Sequence, residues 1–148
     1  MSYDLLYGRA GFLWAALFIN KHLGEQKFPH DLLMSIVDAV LAGGRVGASD
    51  NPDCPLMYRW HGTRYYGAAN GLAGILHVLL HFPLSNEDAD DVKRTLRYLI
   101  SKRFPHCGNY PSSEGNPRDK FVQWSHGATG IGITLCKASQ VWSLSMLT

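Results

Sequence analysis

The length, composition and charge of the chain exclude several classes of protein. It has 148 residues, 46% of them hydrophobic and 18% charged, a balance typical of a globular domain rather than a disordered chain. The net charge of +2, with basic residues scattered along the sequence, does not indicate a nucleic-acid-binding protein. No apolar run reaches the roughly 18 residues needed to cross a bilayer. The run at 10–20 lacks the flanks of a signal peptide, and three scattered cysteines indicate reduced thiols in the cytosol.

A Gly-x-x-Gly motif occurs three times, and each copy opens an apolar run. The copies are 8–11, 71–74 and 127–130, with starts 63 and 56 residues apart. The runs are apolar nearly all round, which predicts three helices buried on most sides. The spacing leaves room for a second helix after each of the first two copies.

The segments between these motifs predict amphipathic helices. The 31–43 segment has one apolar face, and Gly43-Gly44 predicts its end. The 85–103 segment has a second apolar face and opens on a capping signal formed by Ser85 and Asp88. Buried and half-exposed helices in alternation predict an inner layer covered by an outer one, and no segment predicts a convincing strand.

The glycines at the helix starts have two interpretations that are compatible. Helix ends that pack closely against other backbone need residues without a Cβ. Alternatively, bare amides at helix N-termini line a cavity and bind anionic groups. Two long segments, 44–66 and 104–123, lead into the second and third motifs, which predicts that the unusual sequence gathers at one end of the helices.

The last predicted helix, from Gly127 through Trp142, has no helix after it in the sequence. We therefore expect a truncated repeat array whose apolar helix faces are uncovered. Such faces favour self-association through the open repeat ends.

Five stretches, taken together, resemble the LanC-like family of lanthionine synthetase cyclases and their eukaryotic relatives, most closely the plant branch. They are 3–11, 67–74, 108–111, 116–119 and 123–130. The resemblance implies an all-α fold, an α/α toroid of seven helical hairpins. Residues 1–148 would form a partial toroid domain with about three of those hairpins.

The resemblance also implies a chemistry, which is the addition of a thiol to a dehydroamino acid residue in a peptide. The thiol belongs to a cysteine of the same peptide or to glutathione. In the family, zinc held by two cysteines and a histidine binds the thiol and lowers its pKa, so that the nucleophilic thiolate exists at neutral pH. The implied partners are a peptide or protein substrate and glutathione.

The family's zinc and histidine positions are altered in this chain. Ser125 stands where the family has its first zinc cysteine, and a hydroxyl is a poor zinc ligand. Asn70 stands where the family has a catalytic histidine, and an amide cannot shuttle a proton. The other two ligands belong to a later Cys-His-Gly motif that this sequence lacks. We therefore expect no zinc in this chain.

Three residues remain as catalytic candidates by resemblance. Asp4 matches the aspartate before the first glycine motif, His126 lies in the Trp-x-His-Gly motif, and Arg118 is a candidate for the arginine that stabilises the enolate. Their alternatives are a helix-terminal acid, a histidine bonded to backbone, and a surface ion pair with Asp119 or Glu114.

Other histidines and cysteines offer weaker possibilities. Convergence of His61 and Cys54 with His106 and Cys107 would make a metal site, but the spacing matches no zinc pattern. Cys136, in an apolar run, is predicted to lie in the core. His77 and His81 are four apart on a predicted buried helix, and hydrogen bonding in the core is the expected use of both.

Three functions compete. The first is a cytosolic LanC-like protein whose thiol addition is impaired or absent. The second is a non-catalytic peptide-binding or signalling module, in the cytosol or peripheral at the plasma membrane. The third is a carbohydrate-active toroid enzyme, which would need two facing carboxylates from among Asp4, Glu114 and Asp119.

Overall fold

The protein is all-helical over the residues that its computed structural model describes, 2–24 and 27–143. The helices are α1 (Arg9–Leu23), α2 (His30–Gly47), α3 (Leu72–Leu79), α4 (Asn86–Ser101) and α5 (Ala128–Val141). Within these ranges β pairing is limited to two isolated bridges, Trp60 with Thr63 and Tyr65 with Ser113. The predicted all-α class is confirmed. None of the described helices is long and apolar enough to cross a membrane.

The helices form the two predicted layers. Helix α3 packs against α1 and α5 in the inner layer, while α2 packs on α1 and α4 packs on α3 from outside. Arg45 of α2 joins the two outer helices through ion pairs of 2.7 Å with Asp88 and 2.8 Å with Asp91. The capping signal of α4 is also confirmed, since the Asp88 amide donates to Ser85 Oγ at 3.1 Å.

Only the central inner helix is buried on nearly all sides. Every residue of α3 except His77 is buried. By contrast, α1 buries Ala10, Leu13 and Ala16 alone and leaves large apolar side chains at the surface. The prediction of all-round burial is therefore wrong for α1 and α5, because each has an inner-layer neighbour on one side only among the described residues. For the same reason Cys136, on α5, is exposed rather than in the core.

The amides at the helix starts are already hydrogen-bonded. Arg9 N and Ala10 N donate to carbonyl oxygens of Ser2 and Tyr3, at 3.0 and 3.2 Å. The same pattern recurs in α3, where Leu72 N donates to Tyr65 O at 2.9 Å and Ala73 N donates to Tyr66 O at 3.1 Å. The interpretation of bare, anion-binding amides is therefore wrong at these positions.

Close backbone packing explains the second glycine of each motif. A Cβ there would collide with the carbonyl oxygen six residues earlier: Leu5 for Gly11, Ala68 for Gly74 and Trp124 for Gly130. The chain before each inner helix thus folds back against that helix's first turn. The glycines are required because nothing larger allows this approach.

Helix α2 does not end at Gly43-Gly44 but continues to Gly47. Its glycines serve packing instead: the ring of Tyr3 lies against Gly43, and the ring of Tyr58 lies against Gly44. Tyr58 Oη also donates to Val40 O at 3.0 Å. Small residues on one helix face can resemble a stop signal, because glycine is used for both purposes.

The two long connections pair with each other through Arg64. This side chain is only 9% exposed and forms ion pairs with Asp50 and, at 3.0 Å, with Glu114. Two backbone hydrogen bonds also join the connections: Glu114 N donates to Arg64 O at 2.9 Å, and Tyr66 N donates to Ser112 O at 3.0 Å. Neither long segment is therefore a free loop, and both are held over the starts of α3 and α5.

A substitution at Gly74 tests the packing of the helix starts. Gly74→Ala should lower the free energy of unfolding by about 3 kcal/mol, because a rigid carbonyl blocks the new methyl group. The matched control is Gly132→Ala on α5, where a Cβ meets no atom within 4 Å and helix propensity should add about 0.5–1 kcal/mol. Urea denaturation measures both, and equal effects would contradict the assignment.

The exposed faces of α1 and α5 predict self-association. Phe18 is 62% exposed and Ile133 47% exposed, so the purified chain should form oligomers in light scattering at rising concentration. Replacing both by Glu should shift the chain towards monomer. Val46→Lys, on the outer helix at a site 75% exposed, is the control and should leave the mass distribution unchanged. A monomer at every concentration would contradict the prediction.

Candidate functional site

The fold brings Asp4 and Asn70 into direct contact, although 66 residues separate them. Asn70 Nδ2 donates to Asp4 Oδ2 at 2.9 Å. Asp4 is 2% exposed and also accepts from Ser2 Oγ and, at 3.1 Å, from the Tyr7 amide. These three donors are neutral, so a carboxylate held by three hydrogen bonds lies just before the start of α1.

The segment carrying Ser125 and His126 lies against the residues just before Asn70. Gly67 packs on the carbonyl of Ser125 so closely that a Cβ would overlap it. Ala68 N donates to Trp124 O at 3.4 Å. The chain 67–70 therefore touches the third glycine motif at one end and Asp4 at the other, which gathers the family's site positions around the starts of α1, α3 and α5.

Asn109 anchors the turn that leads into α5. It is 6% exposed, and its Oδ1 accepts from Ala128 N at 2.8 Å while its Nδ2 donates to Phe121 O at 3.0 Å. Gly127 has φ +99°, and a Cβ there would meet Phe121 O. Only glycine fits this left-handed position, so the turn that presents His126 depends on it.

His126 is half-buried between two aromatic rings. Its ring centroid lies 5.8 Å from that of Tyr65 and 5.7 Å from that of Phe121. Its Nδ1 is buried and finds no hydrogen-bond partner among the described residues. The alternative in which the ring bonds to backbone is therefore not what the structure shows, and the ring retains a nitrogen that can accept or donate a proton.

Among the described residues, no contact brings Arg118 to the other catalytic candidates. It is exposed, and its amide donates to Asn116 Oδ1 at 3.0 Å within its own loop. The acids suggested as its ion-pair partners are engaged elsewhere, Glu114 with Arg64 and Tyr98, and Asp119 with Cys107.

The donor set at the family's zinc position does not fit zinc. Ser125 Oγ donates to Gln123 Oε1 at 3.3 Å, so its hydroxyl proton is already used in a neutral hydrogen bond. No group of three candidate metal ligands surrounds Ser125 within the described ranges. A neutral serine hydroxyl is also a far weaker zinc ligand than a thiolate.

One group of candidate ligands does converge elsewhere in the described part of the chain, and it consists of His106, Cys107 and Asp119. The suggested convergence with Cys54 and His61 is wrong. Cys54 is fully buried, its thiol donates to Leu56 O at 3.2 Å, and burial raises its pKa to about 11. Asp119 takes their place in the cluster.

A small cavity lies between the three inner helices. Its volume is about 250 Å³, and its walls include Leu5, Ala68, His77, Trp124 and Ile133. Leu5 follows Asp4, and Trp124 precedes Ser125, so the cavity adjoins the gathered positions. It is below the roughly 300–1,000 Å³ of drug-sized ligand sites, which makes it suitable for a single side chain.

Nearly the whole chain matches the model of a protein family. The model for lanthionine synthetase C-like protein matches residues 1–147. The chain belongs to the LanC-like family. This confirms the resemblance, including its plant branch, because LanC-like protein GCL1 of Arabidopsis thaliana is 72% identical over 142 residues.

This chain is shorter than two curated relatives that it matches. The match to Arabidopsis GCL1 covers 96% of this chain and 33% of that protein. Glutathione S-transferase LANCL1 of Danio rerio is 35% identical in an alignment of 147 residues, and this match covers 95% of this chain and 36% of that protein. This LanC-like chain therefore spans about a third of the length of the curated relatives it matches.

Sequence reasoning missed the residues that position the site. Asn109 and Arg64 belong to no catalytic or metal-binding motif, and their hydrogen-bond partners lie up to 50 residues away in the sequence. The available signal was their location, since both lie in long Gly- and Pro-containing segments that lead into glycine motifs. A buried anchor is a common use of a polar residue in such a connection.

His77 gives the LanC-like chain a testable pH dependence. Burial, with smaller contributions from His81 and Lys137, lowers the pKa of His77 to about 4. The unfolded chain therefore takes up a proton first as pH falls below about 6.5, and stability is lost from there towards pH 4. Because the ring is partly accessible, we expect a loss on the order of 1–2 kcal/mol.

Urea denaturation at about pH 7 and about pH 5 measures this loss. His77→Gln should reduce it, whereas His106→Gln, at a side chain 67% exposed, should not. If both variants kept the full pH dependence, His77 would not be its source.

Proposed function

We propose that this LanC-like chain binds peptides that contain a dehydroalanine or dehydrobutyrine residue and that its thiol addition is impaired or absent. The contact between Asp4 and Asn70 carries the proposal. The contact joins the two positions that the family resemblance connects with acid–base chemistry. At one of them Asn70, which only forms hydrogen bonds, stands in place of the family's histidine, which transfers protons.

The pair is suited to binding a peptide. A carboxylate that accepts from Asn70 Nδ2 fixes the orientation of the side-chain amide. A fixed amide offers a second N–H and a carbonyl oxygen, which complement the acceptor and donor of a peptide group. The adjoining, mostly apolar cavity of about 250 Å³ is large enough to hold a dehydrobutyrine side chain. Together these features favour recognition of a modified residue in a peptide.

Activation of the thiol is the step without support in this chain. A glutathione thiol has an ordinary pKa near 8.5, so little thiolate exists at neutral pH without a cation to stabilise it. Ser125 supplies a hydroxyl bonded to Gln123 where the family has a thiolate ligand. We therefore propose that no zinc is held at Ser125. Glutathione enters the proposal through the Danio rerio relative, which is named a glutathione S-transferase.

A second candidate is residual catalysis, and one observation favours it. The buried Nδ1 of His126 has no partner among the described residues and could transfer a proton. Asp4 and Arg118 would then be further acid–base and charge-stabilising candidates. A carbohydrate-active function has no comparable support, because Asp4, Glu114 and Asp119 have Asn70, Arg64 and Cys107 as partners rather than one another.

We also propose a partner and a compartment. The partner is a peptide or protein with a dehydrated serine or threonine, and the compartment is the cytosol, which the three free cysteines favour. A peripheral position at the plasma membrane, with a signalling role, is the alternative.

A binding experiment tests the proposal. A fluorescent peptide with one dehydroalanine should raise its anisotropy on binding, and the same peptide with alanine should bind more weakly. Asn70→Ala should weaken binding about tenfold, the equivalent of one lost hydrogen bond. Asp38→Asn, an exposed acid on α2, is the matched control and should leave the Kd unchanged. Equal binding of both peptides would refute the proposal.

A second measurement separates binding from catalysis. Mass spectrometry of the peptide with glutathione should show adduct formation at the uncatalysed rate. Zinc analysis in a Cys107→Ser background, which removes the thiol of the separate cluster, should find no metal at Ser125. Acceleration that disappears in Asp4→Asn or His126→Gln would instead establish the catalytic alternative.

A further inference from the structure

The turn after α4 gathers three side chains of different ligand chemistry. Cys107 Sγ lies 2.8 Å from Asp119 Oδ2, and His106 Nε2 lies 3.7 Å from the same oxygen. The candidate ligand atoms of all three residues lie within 4.8 Å of one another. This cluster does not include Ser125, and it takes no part in the function proposed above.

These separations suit a single tetrahedral cation. Zinc bonds of about 2.0–2.3 Å to nitrogen, oxygen and sulfur put neighbouring ligand atoms roughly 3.3–3.8 Å apart. The 3.7 Å separation already has this length, and the 2.8 Å separation is a hydrogen bond that lengthens when a cation replaces the thiol proton. Small rotations of exposed side chains are enough to close the site.

Asn109 provides the orienting contacts that metal sites need. Its Nδ2 donates to Asp119 Oδ1, which leaves Oδ2 to face the thiol. The backbone amide of Asn109 donates to Cys107 Sγ at 3.4 Å, an arrangement that favours a thiolate. Asn109 is itself 6% exposed and accepts a hydrogen bond from Ala128 of α5, so the residue that orients the ligands is held in place. Outer contacts of this kind hold metal ligands in place.

We propose that His106, Cys107 and Asp119 bind a borderline divalent cation of the zinc class through Nε2, Sγ and Oδ2. A solvent molecule completes the four-coordinate shell, since all three residues are exposed. This cation is separate from the zinc expected in the family, and it departs from the expectation that the chain binds none.

The ligand set selects the class of cation. A thiolate and an imidazole favour Zn²⁺ or Co²⁺, whereas Mg²⁺ and Ca²⁺ need oxygen ligands in larger number. Binding displaces the thiol proton of Cys107 to solvent. The hydrogen bond to Asp119 raises the pKa of that thiol, so affinity should fall as pH is lowered.

Co²⁺ is the probe for the test, added to the full chain under reducing conditions. Saturation should occur at one equivalent with an intense thiolate-to-cobalt absorption band, and Zn²⁺ should abolish the band. Cys107→Ser should remove the band. Asp119→Asn should weaken binding by at least the roughly 10–100-fold that loss of an outer-shell partner costs. Cys136→Ser, at the other exposed cysteine, is the matched control and should bind like the unmodified chain.

Thermal unfolding without metal checks that all variants fold alike, and added Zn²⁺ should raise the Tm of the unmodified chain but not of Cys107→Ser. The proposal is overturned by absence of the band, by its survival in Cys107→Ser, by its loss in Cys136→Ser, or by full affinity in Asp119→Asn.

Discussion

Close approach between backbone segments at the helix starts is the constraint on which the rest of the structure depends. At Gly11, Gly74 and Gly130 the preceding chain folds back until a carbonyl oxygen occupies the space of a missing Cβ. The returning chain also accepts hydrogen bonds from the first turns of α1 and α3. One device thus satisfies the amides of two helix starts and directs the residues before each inner helix towards a common region.

Two buried polar anchors convert that convergence into a defined site. Arg64 forms an ion pair with Asp50 of its own connection and ties this connection to the second one through Glu114. Asn109 ties the second connection to the first residue of α5. Such side chains are costly to bury unless their hydrogen bonds are made, so each bond holds the backbone in one arrangement. The positions of Ser125 and His126 follow from these anchors more than from local sequence preference.

The proposed function separates two tasks that the family resemblance combines. Orientation of a peptide needs fixed donors and acceptors, and the proposal assigns this task to the contact of Asn70 with Asp4. Activation of a thiol needs stabilisation of a developing charge, for which a neutral serine and a neutral amide are poorly suited. The cluster of His106, Cys107 and Asp119 has ionisable groups, whereas Ser125 does not. Asn109 donates hydrogen bonds to Cys107 and Asp119 of this cluster.

The sequence by itself determined the helical class, the two layers, the cap of α4 and the family, because periodicity, capping residues and motif order are local patterns. It also identified Asp4, Asn70 and Ser125 as related positions, because the resemblance carries them. The tertiary structure decided which apolar helices were covered, as the exposure of Cys136 and the true end of α2 at Gly47 show. It alone revealed that Asn70 bonds to Asp4, that Arg118 stands apart, and that Asp119 joins Cys107. These contacts depend on neighbours distant in the chain, and no local pattern of residues encodes the distance between two such side chains.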